Sequence, residues 1–578
     1  MLRVLTRRFP MKRTVFVAAF ALLVAFSTHA QPTNHNEETV AQFQAEMAAG
    51  KLTSVQLTQY YIDRIMALDQ NEVNSVIELN PDALDMAKNA DAMRAKGKLL
   101  GPLHGIPVLL KDNIDTGDKM QTSAGSFALV GKPALHDSTV AAKLRAGGAV
   151  ILGKTNLSEW ANFRSFFSTS GWSGRGGLTH NPYSLDRNAC GSSSGSAAAA
   201  SANFAAVSIG SETDGSIVCP ANVNSVVGIK PTVGVTSRAG VVPISHVQDT
   251  IGPHGRTVAD AAAALSVIAS RTPDKGDPAT SGVPLGWQGT GRTRPALPAD
   301  YTAFVDPNGL RGARVGSTRQ GIDNAPPQVV AAFDAALAAI QAAGATVVDL
   351  DGAGFQFVPA NGEFLVLLYD FKIDVQKYFA TRVGVPMANK TLADAIVFND
   401  ANAATEMPYF FQEIFQFAQA MDTSGPDPGN NPQPIFGGLT YNQALALDHD
   451  AGVSLDTALS QFNLDAIVAP TDSPGWTSDL ILSDHFLFAS SGLAGGPGYP
   501  IVQVPAASVL GMPMGISFLG TAFSESTLIK LASGFEAATH ARIVPTFTGN
   551  ITTANTNGTN LTPPPPPKKD SGLRPHRM

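Results

Sequence analysis

Two cysteines in 578 residues, Cys190 and Cys219, are too few for a disulfide scaffold and supply no metal-ligand spacing. One bridge between them is open in an oxidising compartment. Burial as two small apolar side chains is the other reading. Charge is also scarce. Only 15% of residues are Asp, Glu, Lys or Arg, and the net charge of −7 leaves no basic excess for a nucleic-acid partner. After the N-terminus no run approaches the roughly 18 apolar residues of a membrane helix. No phosphate loop, nucleotide fingerprint or metal cluster stands out, so neither cofactor nor metal is expected.

What is present starts with a leader. Arg7, Arg8, Lys12 and Arg13 precede a twelve-residue apolar run at 15–26 (VFVAAFALLVAF), and Thr28 and Ala30 offer small residues before Gln31. Residues 1–30 therefore read as a signal peptide, the alternative being an N-terminal anchor. The expected product is exported, periplasmic or secreted, with no stable membrane association after cleavage.

Hydrophobic residues make up 44% of the chain, enough for a substantial core. Residues 37–70 read as two helices. Gly50 ends the first, and the capping box Thr53–Gln56 opens the second. Strand-like runs recur at 106–110, 149–152, 207–209, 226–229, 314–316, 346–351, 466–469, 501–504 and 514–518. Ala-rich helical patterns, such as 138–146 and 258–269, lie between several of them. This alternation predicts an α/β sheet covered on both faces. Pro/Gly/Thr-rich residues 271–304 read as a long surface connection, and 328–435 as a helical insertion ending in an irregular loop. Residues 549–578, Asn/Thr-rich and then Pro-rich and basic, cannot bury a core and are expected to be disordered.

Gly191–Gly195 (GSSSG) matches the G-x-S-x-G elbow, with Ser193 as nucleophile and helix-like residues after it. His246, His254, His449, His485 and His540 are available as bases, none in a distinctive context, and a five-residue Gly/Ser pattern is weak. A second constellation has three parts. Residues 101–116 (GPLHGIPVLLKDNIDT) place Lys111 at the end of an apolar strand. Residues 190–200 (CGSSSGSAAAA) place Ser192 in a glycine-hinged loop, and 210–221 (GSETDGSIVCPA) place Ser216 in another.

These stretches resemble the amidase signature family in order and spacing. Further matching stretches are 153–165 (GKTNLSEWANFRS), 228–245 (GIKPTVGVTSRAGVVPIS) and 249–262 (DTIGPHGRTVADAA). The resemblance runs from about Val40 to Arg542. It implies one large domain, about 31–548, built on a mixed, mostly central β-sheet with helices on both faces. It implies a Lys–Ser–Ser triad of Lys111, Ser192 and Ser216, with a cis bond between Gly191 and Ser192. It also implies an oxyanion or substrate-binding stretch of Thr213, Asp214 and Gly215, leading into Ser216. Many relatives carry Gly where this chain has Asp214, and a carboxylate there must point away from a developing oxyanion.

The chemistry is reasonable. A serine hydroxyl is a poor nucleophile until a base takes its proton. A lysine can be that base only when neutral, and burial among groups such as Val108, Leu109 and Leu110 lowers its pKa. The resemblance implies hydrolysis of a small-molecule or peptide amide, the alternative to a peptide amide being an aryl, aliphatic or fatty amide, since relatives acting on these share the triad. Residues 211–221 and 159–165 most resemble the peptide-amide branch of the family, which removes the C-terminal amide. An amidotransferase subunit is disfavoured by the leader and the acidic charge, and a non-catalytic binding protein by the intact Lys111, Ser192 and Ser216. Trp160, Asn162, Phe163 and Arg164 line either an acyl pocket or the core, and His104 reads as structural.

Overall fold

The nine strands expected from the sequence all form, each within a few residues of its expected bounds. In the computed structural model, which describes residues 34–322 and 325–549, two more strands join them in one eleven-stranded sheet. In chain order these are β1 (Val76–Leu79), β2 (Pro107–Lys111), β3 (Val150–Thr155), β4 (Val207–Glu212), β5 (Val227–Lys230), β6 (Thr250–Gly255), β7 (Arg314–Ser317), β8 (Thr346–Asp349), β9 (Ala466–Pro470), β10 (Ile501–Val509) and β11 (Met512–Leu519). The spatial order is β1-β3-β2-β4-β6-β5-β10-β11-β9-β7-β8.

The sheet is mixed, as expected. β2 lies parallel to both β3 and β4, and β7 parallel to both β8 and β9. The pairings between these two blocks, from β4 through β6, β5, β10 and β11 to β9, are antiparallel. β2, β3 and β4 are buried along their whole length. Near-continuous apolar runs are what a strand covered on both faces requires.

Both N-terminal helices form; the second opens on the expected capping box Thr53–Gln56, and the first on a further one, Thr39–Gln42, that sequence reasoning missed. Gly50 adopts a left-handed φ of 67° just after the first, and the second runs into a π-helical segment, Ile65–Val73. Residues 328–435 are largely helical up to 420, but their helices divide between two packing groups. Pro327–Ala342 joins the main core through Val329, Phe333 and Ile340, and β8 completes the sheet edge. From Glu363 on, helices Glu363–Thr381, Leu392–Ala401, Glu413–Ala420 and the start of Tyr441–Gln461 build a second apolar cluster.

The described residues from Glu37 on belong to one compact unit. Among the described residues no helix is long and apolar enough to cross a membrane. The expected leader, 1–30, and the tail from 550 onward lie outside the described residues.

Candidate active site

Adjacent parallel strands end at the same edge of a sheet, and such carboxyl ends are where α/β folds place their ligands. β2 ends in Lys111 and its neighbour β4 ends in Glu212, four residues before Ser216. Topology thus brings Lys111 to the Ser216 loop across about a hundred residues of chain.

Lys111 is fully buried. Its Nζ donates to Ser192 Oγ at 2.7 Å, to Ser211 Oγ at 2.9 Å and to the Ser211 carbonyl at 3.2 Å. Burial lowers its pKa to about 7, although the charges of Asp249 and Glu212 pull the other way. The ammonium form has been desolvated with no adjoining carboxylate hydrogen bond to offset it.

Ser192 is also fully buried, and the peptide bond joining Gly191 to it is cis. Its carbonyl accepts the Ser158 N–H at 3.1 Å. Glycine is required before it, because a Cβ at 191 would collide with Ser158 Oγ. Next in the chain, the Ser193 N–H donates to the Ser216 carbonyl at 3.1 Å, which ties the two serine loops together. Ser216 retains 8% exposure whereas Ser192 has none, so of the two hydroxyl-bearing residues Ser216 is the one a substrate can reach. Cys190 and Cys219 form a disulfide with a Cα separation of 6.0 Å, packed against Val223 and Trp476.

The elbow reading does not survive this geometry. Ser193 Oγ donates to the Ser211 carbonyl at 2.9 Å and accepts the Ser211 N–H at 3.2 Å, so it is spent on strand β4. His254 is buried with Nε2 against the Ile217 carbonyl at 3.0 Å, and burial lowers its pKa to about 4.

The stretch before Ser216 differs from expectation at Gly215. Its N–H is taken by Glu212 Oε1 at 3.0 Å, so it does not face an oxyanion. The same carboxylate accepts from Ile217 at 2.6 Å and Val218 at 3.0 Å through Oε2. The backbone N–H groups of Thr213, Asp214 and Ser216 donate to no other group among the described residues. Thr213 Oγ1 donates to Asp249 Oδ1 at 2.6 Å, and Asp249 Oδ2 accepts from Ile244 and Ser245. The Asp214 carboxylate packs on Gly495, where a Cβ would stand 2.7 Å from Oδ1. Burial raises its pKa against the influence of Ser491 and Lys230.

Sequence reasoning missed Ser211 and Glu212. Ser211 touches the Lys111 amine, and Glu212 shapes the Ser216 loop. Both lie inside the 210–221 motif, and strand alternation sends them to opposite faces. Trp160 and Phe163 belong to the second apolar cluster, with Trp160 ring-to-ring against Phe379 and Phe415. Arg164 is buried against Glu159 at 2.5 Å and against the carbonyls of Phe410 and Phe411. Asn162 Nδ2 donates to Ser170 Oγ at 2.9 Å. His104 is buried with Nε2 against the Ala90 carbonyl.

The family model described as amidase matches residues 56–529. In structure the chain is similar to native peptide amidase from Stenotrophomonas maltophilia, with 45% identity and a TM-score of 0.77, covering 89% of this chain and 99% of that one. In sequence it is similar to a protein named "Probable amidase" from Arabidopsis thaliana, 40% identical over 524 residues, or 88% of this chain and 92% of the relative. It is also similar to a glutamyl-tRNA(Gln) amidotransferase subunit from Salinispora arenicola, 33% identical over 516 residues, or 86% and 97%. The chain belongs to the amidase signature family and is a hydrolase acting on amide C–N bonds.

Proposed function

We propose that the protein hydrolyses carboxamides, in particular the C-terminal amides of peptides, to the acid and ammonia through an acyl-Ser216 intermediate. The observation that carries this reading is the 2.7 Å contact between Ser192 Oγ and a buried Lys111 amine whose pKa is lowered to about 7. Neutral Lys111 takes the Ser192 proton while Ser192 Oγ takes that of Ser216. Ser216 Oγ then bonds to the amide carbon, and the carbonyl becomes an oxyanion. The free N–H groups of Thr213, Asp214 and Ser216 are the donors at hand for it, and losing one such donor typically costs about 2.7–4 kcal/mol. As the C–N bond breaks, the proton on Lys111 returns through Ser192 to the nitrogen and ammonia leaves. Water attacks the ester by the same route, giving the acid and restoring Ser216.

The peptide-amide substrate is supported by the likeness to the Stenotrophomonas enzyme over nearly its whole length. The test is mass spectrometry on amidated peptides, where each deamidation adds about one dalton, with hydroxylamine present to trap the acyl group as hydroxamate. Absence of both acid and hydroxamate across a broad amide panel would sink the reading. The relative from the amidotransferase keeps a second reading in view, for which release of ammonia from free glutamine is the check.

We also propose that residues 1–30 direct export. The Cys190–Cys219 disulfide supports this, since such bonds persist in oxidising compartments. N-terminal sequencing of the mature protein should begin at Gln31, and a retained Met1 in the exported fraction would contradict it.

A further inference from the structure

Two loops beside the serines carry large apolar side chains turned to solvent. Phe166 and Phe167 sit on one, and Ile481, Leu482, Phe486 and Leu487 on the other, each between 47% and 69% exposed. Single exposed apolar residues are ordinary, whereas a grouped set marks an interaction site. The two loops are locked together. Thr169 Oγ1 donates to the Asp479 carbonyl at 2.6 Å, Ser483 Oγ to the Ser168 carbonyl at 3.0 Å, and Ser170 Oγ to Asp484 Oδ2 at 2.6 Å.

Both are also fastened to the Ser192 loop. Asp484 Oδ1 accepts Asn188 Nδ2 at 3.2 Å, and Asn188 Oδ1 accepts the Cys190 N–H at 2.7 Å, two residues before Ser192. On the other loop the Gly171 N–H donates to Ser158 Oγ at 2.9 Å, and Ser158 in turn donates its N–H to the Ser192 carbonyl. Both loops that carry the exposed side chains are thus anchored beside Ser192, one within two residues of it and the other through its carbonyl. When ammonia is the leaving group, everything else in the substrate lies on the acyl side. An apolar surface that a bound substrate reaches therefore meets only the acyl part.

Resting on the peptide-amide reading, we propose that these two loops form an acyl-side subsite for apolar residues preceding the carboxamide. The chemistry is burial of aliphatic and aromatic side chains against Phe166, Phe167, Ile481, Leu482, Phe486 and Leu487.

The test compares Ac-Leu-Leu-Ala-NH2 with Ac-Ser-Ser-Ala-NH2, using Ac-Ala-NH2 as the reference that does not reach the loops. The parent protein should favour the Leu peptide by roughly tenfold in kcat/KM, the scale expected from burying a few half-exposed apolar groups. In the double variant Phe167→Ser, Leu482→Ser that preference should collapse toward one, carried by KM. Both positions are exposed, and thermal melting checks the fold. Equal kcat/KM for the two peptides in the parent protein overturns the proposal, as does a preference that the double variant keeps. Loss of binding to phosphatidylglycerol vesicles, or of a dimer on size exclusion, with the peptide preference intact reassigns the patch to a membrane or a second copy and overturns it too. Failure to turn over Ac-Ala-NH2 as well would instead strike the parent reading, and this subsite with it.

Discussion

Cys190 and Cys219 close a covalent loop inside which both Ser192 and Ser216 lie. The bridge spans a sequence separation of 29, and closing a loop of that size is worth about 3.6 kcal/mol in the chain-entropy model. Replacing both cysteines by serine should lower the urea midpoint and reduce kcat more than it raises KM, since the loop positions reacting groups rather than substrate. Both cysteines are buried, so dithiothreitol should inactivate the folded protein slowly and the urea-loosened protein quickly. An unchanged midpoint together with unchanged turnover would show that the loop holds its shape without the bond.

The proposed Lys111 base predicts an acid limb on activity. Its pKa is lowered to about 7, so below that pH the amine gains a proton and no longer accepts one. The kcat/KM profile should fall about tenfold per pH unit below 7. The stability consequence has the opposite sense to a salt bridge. Between about 7 and the ordinary value near 10.4 the unfolded chain holds a proton that the folded chain lacks, so this group adds stability as pH rises. Lys111→Met should abolish turnover, remove that slope and raise the melting temperature at pH 7. Activity that persists unchanged to about pH 5 would exclude a neutral-amine base.

The two candidate nucleophiles, Ser216 and Ser193, separate by their partners. Ser216→Ala removes the hydroxyl of the partly exposed residue and should abolish hydroxamate formation. Ser193→Ala removes two hydrogen bonds to Ser211, a loss of roughly 1–3 kcal/mol of stability, and should leave much of the turnover. Burst experiments on both variants decide it, and a Ser193→Ala protein that is dead while Ser216→Ala acylates would reverse the assignment.

Legibility in the sequence followed side-chain chemistry. Strands built of apolar runs, such as Val108–Leu110 in β2 and Ala466–Ala469 in β9, were visible because strands buried on both faces are largely apolar. β6 was not, because its residues include Gly252, Pro253 and Gly255, which read as a turn. Gly252 is there for packing, since a Cβ would collide with the Ile229 carbonyl of neighbouring β5. In the site, Lys111 and the two serines were legible as motifs. The contact of Ser211 with Lys111 and the capture of the Gly215 N–H by Glu212 depend on which way each side chain leaves β4 and how the loop folds over it. Spacing alone likewise left the cysteine pairing open, because a bridge depends on Cα separation and not on sequence distance.

A buried carboxyl pair beneath the second apolar cluster should make the fold sensitive to alkali. Glu406 accepts from Ser126 Oγ at 3.0 Å and from the Phe127 N–H at 2.8 Å, and it lies against Glu159. Burial, and then the charge of Glu159, raise its pKa to about 8. Glu159 holds Arg164 at 2.5 Å and the Gly174 N–H at 3.0 Å, so the shared proton belongs to Glu406. A carboxyl raised in the folded state contributes stability that is whole below its unfolded value and is lost as pH climbs through its folded value. For a group near 8 the loss between pH 7 and 9 is on the order of 1 kcal/mol. In Glu406→Gln the amide oxygen keeps the Phe127 N–H, the amide nitrogen donates to Glu159 with the Ser126 hydroxyl turned to accept, and position 406 no longer titrates. The urea midpoint of the parent should drop over that interval more steeply than that of the variant. Parallel curves would mean that the pair shares no proton at neutral pH.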